Sequence, residues 1–296
     1  MKEKVLYVKL SEIVKFRGSK SNRGGMIGTT CQVKKETKAK FKIPKPKPLI
    51  GGSKVYHNYG VPYWYCKIKN GRDEFMYLYI EDLTEMDLLY DSKTKIKRKF
   101  STSNQKMFRA LVLDALSNKP KKGCWIPVFE PSSDGKGGLQ FVKGEKPLVE
   151  LNCIEWSKKM KEYSPANESG GSSATTYYLL LLRWLKDGFA TLEQLTEHSE
   201  EIGHYYDSEN SKDGLEKTGE RNFGGLYGFV GNTKKMVKLS NAERKKWFPE
   251  YDASYLVLGG NYMDYGKNDP VAYSGIYLSL DDYIEENCIG LLELKK

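Results

Sequence analysis

The chain has 296 residues, with 48 Lys+Arg against 38 Asp+Glu and an aromatic share of 12%. That bulk suffices for a packed core and excludes wholesale disorder, and no stretch approaches the roughly 20 apolar residues needed to cross a bilayer. Charge is divided along the chain: residues 1–150 hold 31 basic and 15 acidic side chains, a net of +16, and residues 151–296 hold 17 and 23, a net of −6.

Val5 to Leu10 alternates apolar and polar residues and predicts a strand. Charges run through the same N-terminal stretch (MKEKVLYVKLSE), so it does not read as a signal peptide, and the cytoplasm is the expected location. FRGSKSNRGGMIG is expected to be a flexible loop carrying Arg17, Lys20 and Arg23. Cys31 to Ile43 has strand-like alternation, and IPKPKPLIGG after it is expected to be extended and unable to complete a sheet ladder. Val61 to Lys69 and Glu74 to Ile80 flank Asn70-Gly71, a pair that favours the positive φ angles of a type I′ turn, and so predict an antiparallel hairpin.

A short helix is expected over Glu81 to Tyr90, then the basic run Lys93 to Lys99, then a helix over Asn104 to Ser117 capped by Ser103. Trp125 to Phe129 and Leu139 to Val142 predict strands around the turn-forming DGKGG. Leu151 to Tyr163 reads as a helix, SPANESGGSSATT as a linker or mobile loop, and Thr176 to Lys186 as a core helix. Thr191 with Gln194, and Ser240 with Glu243, have capping-box spacing. Tyr251 to Leu258, Val271 to Leu280 and Ile289 to Leu294 predict strands, with a short helix over Asp281 to Asn287. The expected class is α+β, with an antiparallel, hairpin-rich N-terminal half and a mixed helix/strand C-terminal half. Residues 1–165 would form the basic region with its extended arm, and 176–296 the acidic one, as two domains or as one.

The cysteines, Cys31, Cys66, Cys124, Cys153 and Cys288, are odd in number and contain no Cys-x-x-Cys pair. Reduced, buried thiols are expected rather than a zinc or redox site, with Cys288 a candidate subunit contact. Glu201 and His204 would share a face if EHSEEIGHYYDSE were helical, yet the second Glu-x-x-His of a di-iron site is missing, so a solvated acidic helix is expected. Glu293-Leu294-Lys295 with Asp281 and Asp282 has the residue types of a metal-dependent nuclease, in which carboxylates hold the cation beside a lysine that steers phosphate or water. FGGLYGFVG lacks phosphate-loop spacing, NSKDG has Ser211 where a nucleotidyl-lysine would stand, and no Gly-x-Ser-x-Gly elbow occurs. No cofactor and no metal are expected.

The basic half offers a docking surface built from Arg17, Lys20, Arg23, Lys34, Lys35, Lys38, Lys40 and Lys42, interleaved with Tyr63, Trp64 and Tyr65. Such a surface could hold phosphates with stacked bases, although lysine far outnumbers arginine, the better fork for phosphate and base edges. It could equally wrap a partner protein, with the acidic half meeting basic halves of neighbouring copies in a homo-oligomer. The protein partner is the favoured expectation and nucleic acid, with or without cleavage, the alternative. In its Lys- and Tyr-rich composition, middling length and lack of a legible active site, the chain resembles phage-encoded inhibitors of bacterial defence systems, the Gabija anti-defence proteins in particular. The likeness lies in general character, so no site residue is carried over. It implies a protein that oligomerises around a host nuclease complex and blocks its access to DNA.

Overall fold

The computed structural model describes residues 63, 65–68, 72–149, 151–163, 173–209, 214–247, 254–272, 274–278, 288–291 and 293–295, with the backbone of four strands in residues 6–41. In chain order those four are β1 (Leu6–Val8), β2 (Val14–Ser19), β3 (Met26–Cys31) and β4 (Ala39–Phe41). Next come β5 (Tyr65–Ile68), β6 (Asp73–Leu78), α1 (Glu85–Leu89), α2 (Ser103–Ser117) and β7 (Cys124–Pro127). Short β8 (Ser132–Ser133) and β9 (Leu139–Gln140) precede α3 (Cys153–Tyr163), α4 (Ala174–Asp187) and α5 (Leu192–Thr196). The remainder comprises β10 (Asn222–Phe223), β11 (Leu226–Tyr227), β12 (Lys234–Lys238), α6 (Asn241–Trp247), β13 (Tyr255–Leu258), β14 (Ser274–Leu278), β15 (Cys288–Gly290) and β16 (Leu294–Lys295).

The fold is α+β. Its larger sheet has six strands in the order β16-β7-β6-β5-β2-β3, antiparallel throughout. The hairpin expected from Asn70-Gly71 supplies its centre, with Tyr65 opposite Met76 and Ile68 opposite Asp73. A four-stranded sheet, β14-β13-β12-β15, is mixed, because β15 runs parallel to β12. The last strand, β16, joins the larger sheet beside β7, so chain ends from both halves share one ladder.

Packing follows from α4. Every residue from Ala174 to Leu182 is buried, as are Trp184 and Leu185, and each fully buried leucine contributes about 1.5–3 kcal/mol. Ser173 caps the helix by accepting from the Thr176 amide at 3.1 Å, and Gly188 ends it at φ 73°, a conformation that suits a residue without Cβ. Around α4 gather Leu78 and Ile80, Phe108 and Val112 from α2, and Leu256 and Leu258 from β13. A second cluster joins Phe75, Tyr77 and Trp125 of the larger sheet to Trp156 and Met160 of α3 and Met236 of β12. Both clusters therefore draw on both halves of the chain.

Three local expectations are corrected. The segment Phe16 to Gly28, expected to be a flexible loop, is spanned in large part by β2 and β3, paired from Val14↔Cys31 to Ser19↔Met26. The outer edge of the central hairpin offers unpaired amides and carbonyls, and β2 satisfies them despite the glycines around it. The cap of α2 is Thr102, not Ser103. Only from Thr102 does Gln105 stand three residues on, where its amide donates to Thr102 Oγ1 at 3.2 Å and its side chain accepts from the Ser101 and Thr102 amides at 2.8 and 3.4 Å. The acidic stretch after α5 forms a single 3-10 turn, Ser199–Glu201, instead of a helix, and His204 beyond it is buried. The linker-like 164–172 and the expected helix Asp281 to Asn287 lie outside the described residues.

Candidate functional site

The basic run lies between α1 and α2 and is built on a reversal of the chain. Thr84 opens α1: its amide and its hydroxyl both donate to Asp87 Oδ2, at 2.8 and 3.0 Å. The chain then folds back, with Tyr90 bridged antiparallel to Lys97 and the Arg98 amide donating to the Leu89 carbonyl at 2.8 Å. Asp91 holds the turn, its Oδ1 accepting from the Lys93 amide at 3.0 Å, the Thr94 amide at 2.7 Å and the Thr94 hydroxyl at 3.0 Å. Those bonds from Thr94, backbone first, keep the Asp91 carboxyl below its ordinary pKa. Lys95 sits at φ 61°, in the left-handed region that costs an L-residue about 1–2 kcal/mol.

Arg98 is the keystone of the loop and turns inward. Its Nη1 donates to the carbonyls of Asp87, Leu88 and Tyr90 at 2.7, 3.1 and 2.6 Å, satisfying the C-terminal end of α1, and its Nη2 reaches Asp91 Oδ2 at 3.5 Å. Three carboxylates near the loop, Asp82, Asp87 and Asp187, are paired with cations of α4. Arg183 pairs with Asp82 at 2.7 Å and Asp187 at 2.8 Å, and Lys186 pairs with Asp82 at 2.9 Å and Asp87 at 3.3 Å. Burial opposes the charge on Arg183, but Asp187, Tyr63 and Asp82 together outweigh it and the guanidinium pKa rises.

What remains is Lys93, Lys95, Lys97 and Lys99, all exposed, with no carboxylate in ion-pair range among the described residues. Lys93 lies at the C-terminal end of α4, where the helix dipole favours a cation; a Cβ on Gly188 would come within 3.0 Å of its Nζ. The loop forms one wall of a groove of about 510 Å³, with Leu185, Ala190 and Leu192 as apolar surface and Gln105, Thr191 and Glu193 as polar groups. Charge and shape thus coincide at one place.

A different lysine shows the opposite arrangement. Successive side chains of β12 point to opposite faces, both of them packed: Lys234, at the strand's start, is partly buried and Lys235 is wholly in the core. The Lys235 ammonium donates to the Gly228 and Gly231 carbonyls at 3.0 and 3.4 Å, to Thr233 Oγ1 at 2.9 Å, to the Thr233 carbonyl, and to Glu130 Oε1 at 3.3 Å. Glu130 also accepts from Asn232 Nδ2 and Thr233 Oγ1, each at 2.5 Å. Gly228 permits the approach, since at φ 69° its Cβ would fall 2.3 Å from Glu130 Oε2. Burial drives the Lys235 pKa down and the Glu130 pKa up, and their mutual attraction opposes both shifts. The adjoining cavity of about 20 Å³ holds about one water and no organic substrate. The pair therefore ties β12 to the residues after β7.

Of the residues expected to bind, Arg17 stands in β2 opposite Gly28 and Tyr65, and Lys40 in β4 opposite Tyr7. Lys20, Arg23, Lys34, Lys35, Lys38, Lys42 and Trp64 lie outside the described residues. Tyr63 and Tyr65 are corrected: both are buried core residues, Tyr63 donating to Asp187 Oδ2 at 2.7 Å and Tyr65 to Met76 Sδ at 3.4 Å, so neither presents a ring to a base or a partner. Cys288 is likewise corrected, lying in β15 within the chain's own core and not on a surface that a second subunit could reach. Cys124, Cys153 and Cys288 are all buried, as expected of these thiols.

Glu293 is buried beside a cavity of about 290 Å³ lined by Leu78, Leu179, Lys121 and Lys122, whereas Asp281 and Asp282 lie outside the described residues. Among the described residues no group of three or more His, Cys, Asp or Glu is placed to hold a metal. His204 lies with Nε2 3.0 Å from the Gly214 carbonyl and Nδ1 3.4 Å from Glu216, while Glu201 bonds Gln194 at 3.1 Å, so the two expected to share a face do not meet. No helix of the described residues is long and apolar enough to cross a membrane. Neither a protein-family model, nor a curated protein, nor a solved structure matches the chain.

Proposed function

We propose that this chain is a non-catalytic binding protein of phage or mobile-element character, working in the cytoplasm. In this reading it oligomerises and grips a partner protein, and so inhibits a host defence complex directed at nucleic acid. One observation carries the reading: on a turn fixed by Asp91 and Arg98, Lys93, Lys97 and Lys99 line a groove of about 510 Å³, Lys95 stands on the same turn, and none of the four has a carboxylate partner among the described residues. A protein is favoured over nucleic acid because the free cations here are lysines, Arg98 being used up by backbone carbonyls, and the groove residues include no aromatic ring on which a base could stack. Glu193 and Asp91 in the groove also oppose a phosphodiester chain.

Gel shifts with single- and double-stranded DNA across a salt series separate the two readings. Absence of binding at low salt is expected; binding that weakens by several powers of ten between about 50 and 200 mM salt would overturn the proposal in favour of nucleic acid. Charge reversal of Lys34, Lys35, Lys38 and Lys40 is expected to abolish capture of the partner if the arm shares in the grip, and unaltered capture would remove the arm from it.

A further inference from the structure

A second surface, remote in sequence from the basic loop, has the opposite character. The segments 203–209 and 260–268 interlock: the Tyr206 amide donates to the Asp264 carbonyl at 3.0 Å, and the Gly266 amide to Asp207 Oδ1 at 2.9 Å. The second segment is also tied to itself, Asn261 donating from its amide to Asp264 Oδ2 at 2.8 Å and accepting from the Met263 amide at 2.7 Å. Gly266 packs against Glu200 so closely that a Cβ would come within 2.3 Å of the Glu200 nitrogen. Backbone this constrained fixes the side chains it carries.

Those side chains are apolar and face water. Six large hydrophobic side chains are exposed among the described residues, and three of them, Tyr206 at 63%, Met263 at 55% and Tyr265 at 49%, stand on these two segments. The rings of Tyr206 and Tyr265 meet edge to face with centroids 5.2 Å apart. Single exposed hydrophobics are ordinary, but a cluster of Tyr and Met on rigid backbone is the composition of an interface core. The charge beside it is negative: Glu200, Asp207, Glu209, Asp264 and Asp269 against Lys267, Lys234 and the imidazole of His198, of which Lys234 is already paired with Asp264 at 3.5 Å and His198 Nδ1 lies 3.1 Å from Glu200.

We propose that this patch docks an extended, lysine- or arginine-bearing segment of a partner protein. Charge complementarity selects the occupant. Ammonium or guanidinium groups would lie on the tyrosine faces, where the ring quadrupole attracts a cation, and would pair with the surrounding carboxylates. The same carboxylates repel nucleic acid. The inference goes beyond the basic groove and does not depend on it, so the molecule would present two docking faces of opposite sign.

The test uses the full chain and a fluorescein-labelled decapeptide of alternating lysine and proline, with a glutamine-for-lysine peptide as control, read by fluorescence anisotropy. The lysine peptide is expected to bind at least about tenfold tighter than the control, and Y206A/Y265A to weaken it by about tenfold or more. Y206F/Y265F should keep the affinity, since ring faces and not hydroxyls make the contact. D207N/E209Q should weaken binding severalfold and flatten its salt dependence, while K93E/K95E/K97E/K99E should not weaken it. Equal binding by Y206A/Y265A and the unsubstituted protein, with matching unfolding midpoints, would overturn the proposal. So would failure of the peptide to bind while Y206A/Y265A dissociates an oligomer in sedimentation velocity, because the occupant would then be a second copy of this chain.

Discussion

Lys235 and the lysines of the 93–99 loop are the same side chain in opposite settings. Around Lys235 the chain converges oxygens from Gly228, Gly231, Thr233 and Glu130, and nothing is left for an outside partner. Around the loop Asp82, Asp87, Asp187 and Asp91 are taken by Arg183, Lys186 and Arg98, and no loop lysine has a carboxylate within ion-pair range among the described residues. The difference separates a lysine that holds the fold from lysines that can act between molecules. Net charge alone does not make that distinction.

The comparison predicts very different costs for removing each kind. Lys235→Met or Glu130→Gln leaves one buried member of the pair unmatched and is expected to destabilise by about 3–5 kcal/mol in urea unfolding. The double variant Glu130→Leu/Lys235→Met should cost less than the two single changes summed, because no lone charge stays buried. Additive losses would mean that the two groups act separately. Charge reversal of the four loop lysines should instead leave the unfolding midpoint nearly unchanged, surface substitutions staying within about 0.5 kcal/mol each. A loss as large as that of Lys235→Met would show that the loop lysines are structural.

Smaller effects sharpen the account of what holds the loop in place. Thr102→Ala removes the cap of α2 beside the groove and should cost about 1 kcal/mol, whereas Ser103→Ala should cost far less; the reverse order would return the cap to Ser103. The least effect is expected from Asp82. Burial opposes its ionisation, but Arg183 and Lys186 outweigh that and hold the carboxyl below its ordinary pKa. A carboxyl depressed on folding stabilises above its unfolded pKa, and that contribution fades as pH falls through the folded value. The gap in unfolding midpoint between the natural protein and Asp82→Asn should therefore be present at pH 6 and close below about pH 4; a gap constant with pH would argue against the ion pairs.

Much of the fold is legible locally. Asn-Gly between two alternating aromatic strands is enough to register β5 on β6, and Thr191/Gln194 and Ser240/Glu243 place the starts of α5 and α6. The unbroken run Tyr177 to Leu182 marks the core helix because no face of it is polar. Long-range pairings are not legible in this way. Nothing near residue 294 points to Trp125, its ladder partner in β7, and nothing near Glu130 points to Lys235. A trace of the latter exists: Lys234-Lys235 leads into Met236-Val237, and strand period alone requires one of the two ammoniums to face inward. Tyr63 and Tyr65 misled because an aromatic residue in a basic region reads equally well as core or as contact. Their burial was decided by α4 and β6, which the local pattern does not reveal.

Capture from a nuclease-treated bacterial lysate, compared between the natural chain and K93E/K95E/K97E/K99E, tests the account most directly. The natural chain should retain one protein in stoichiometric amount after nuclease treatment, and the variant should lose it with an unaltered unfolding midpoint. Retention by the variant, or loss from both once nucleic acid is digested, would contradict the assignment of these lysines to a partner protein.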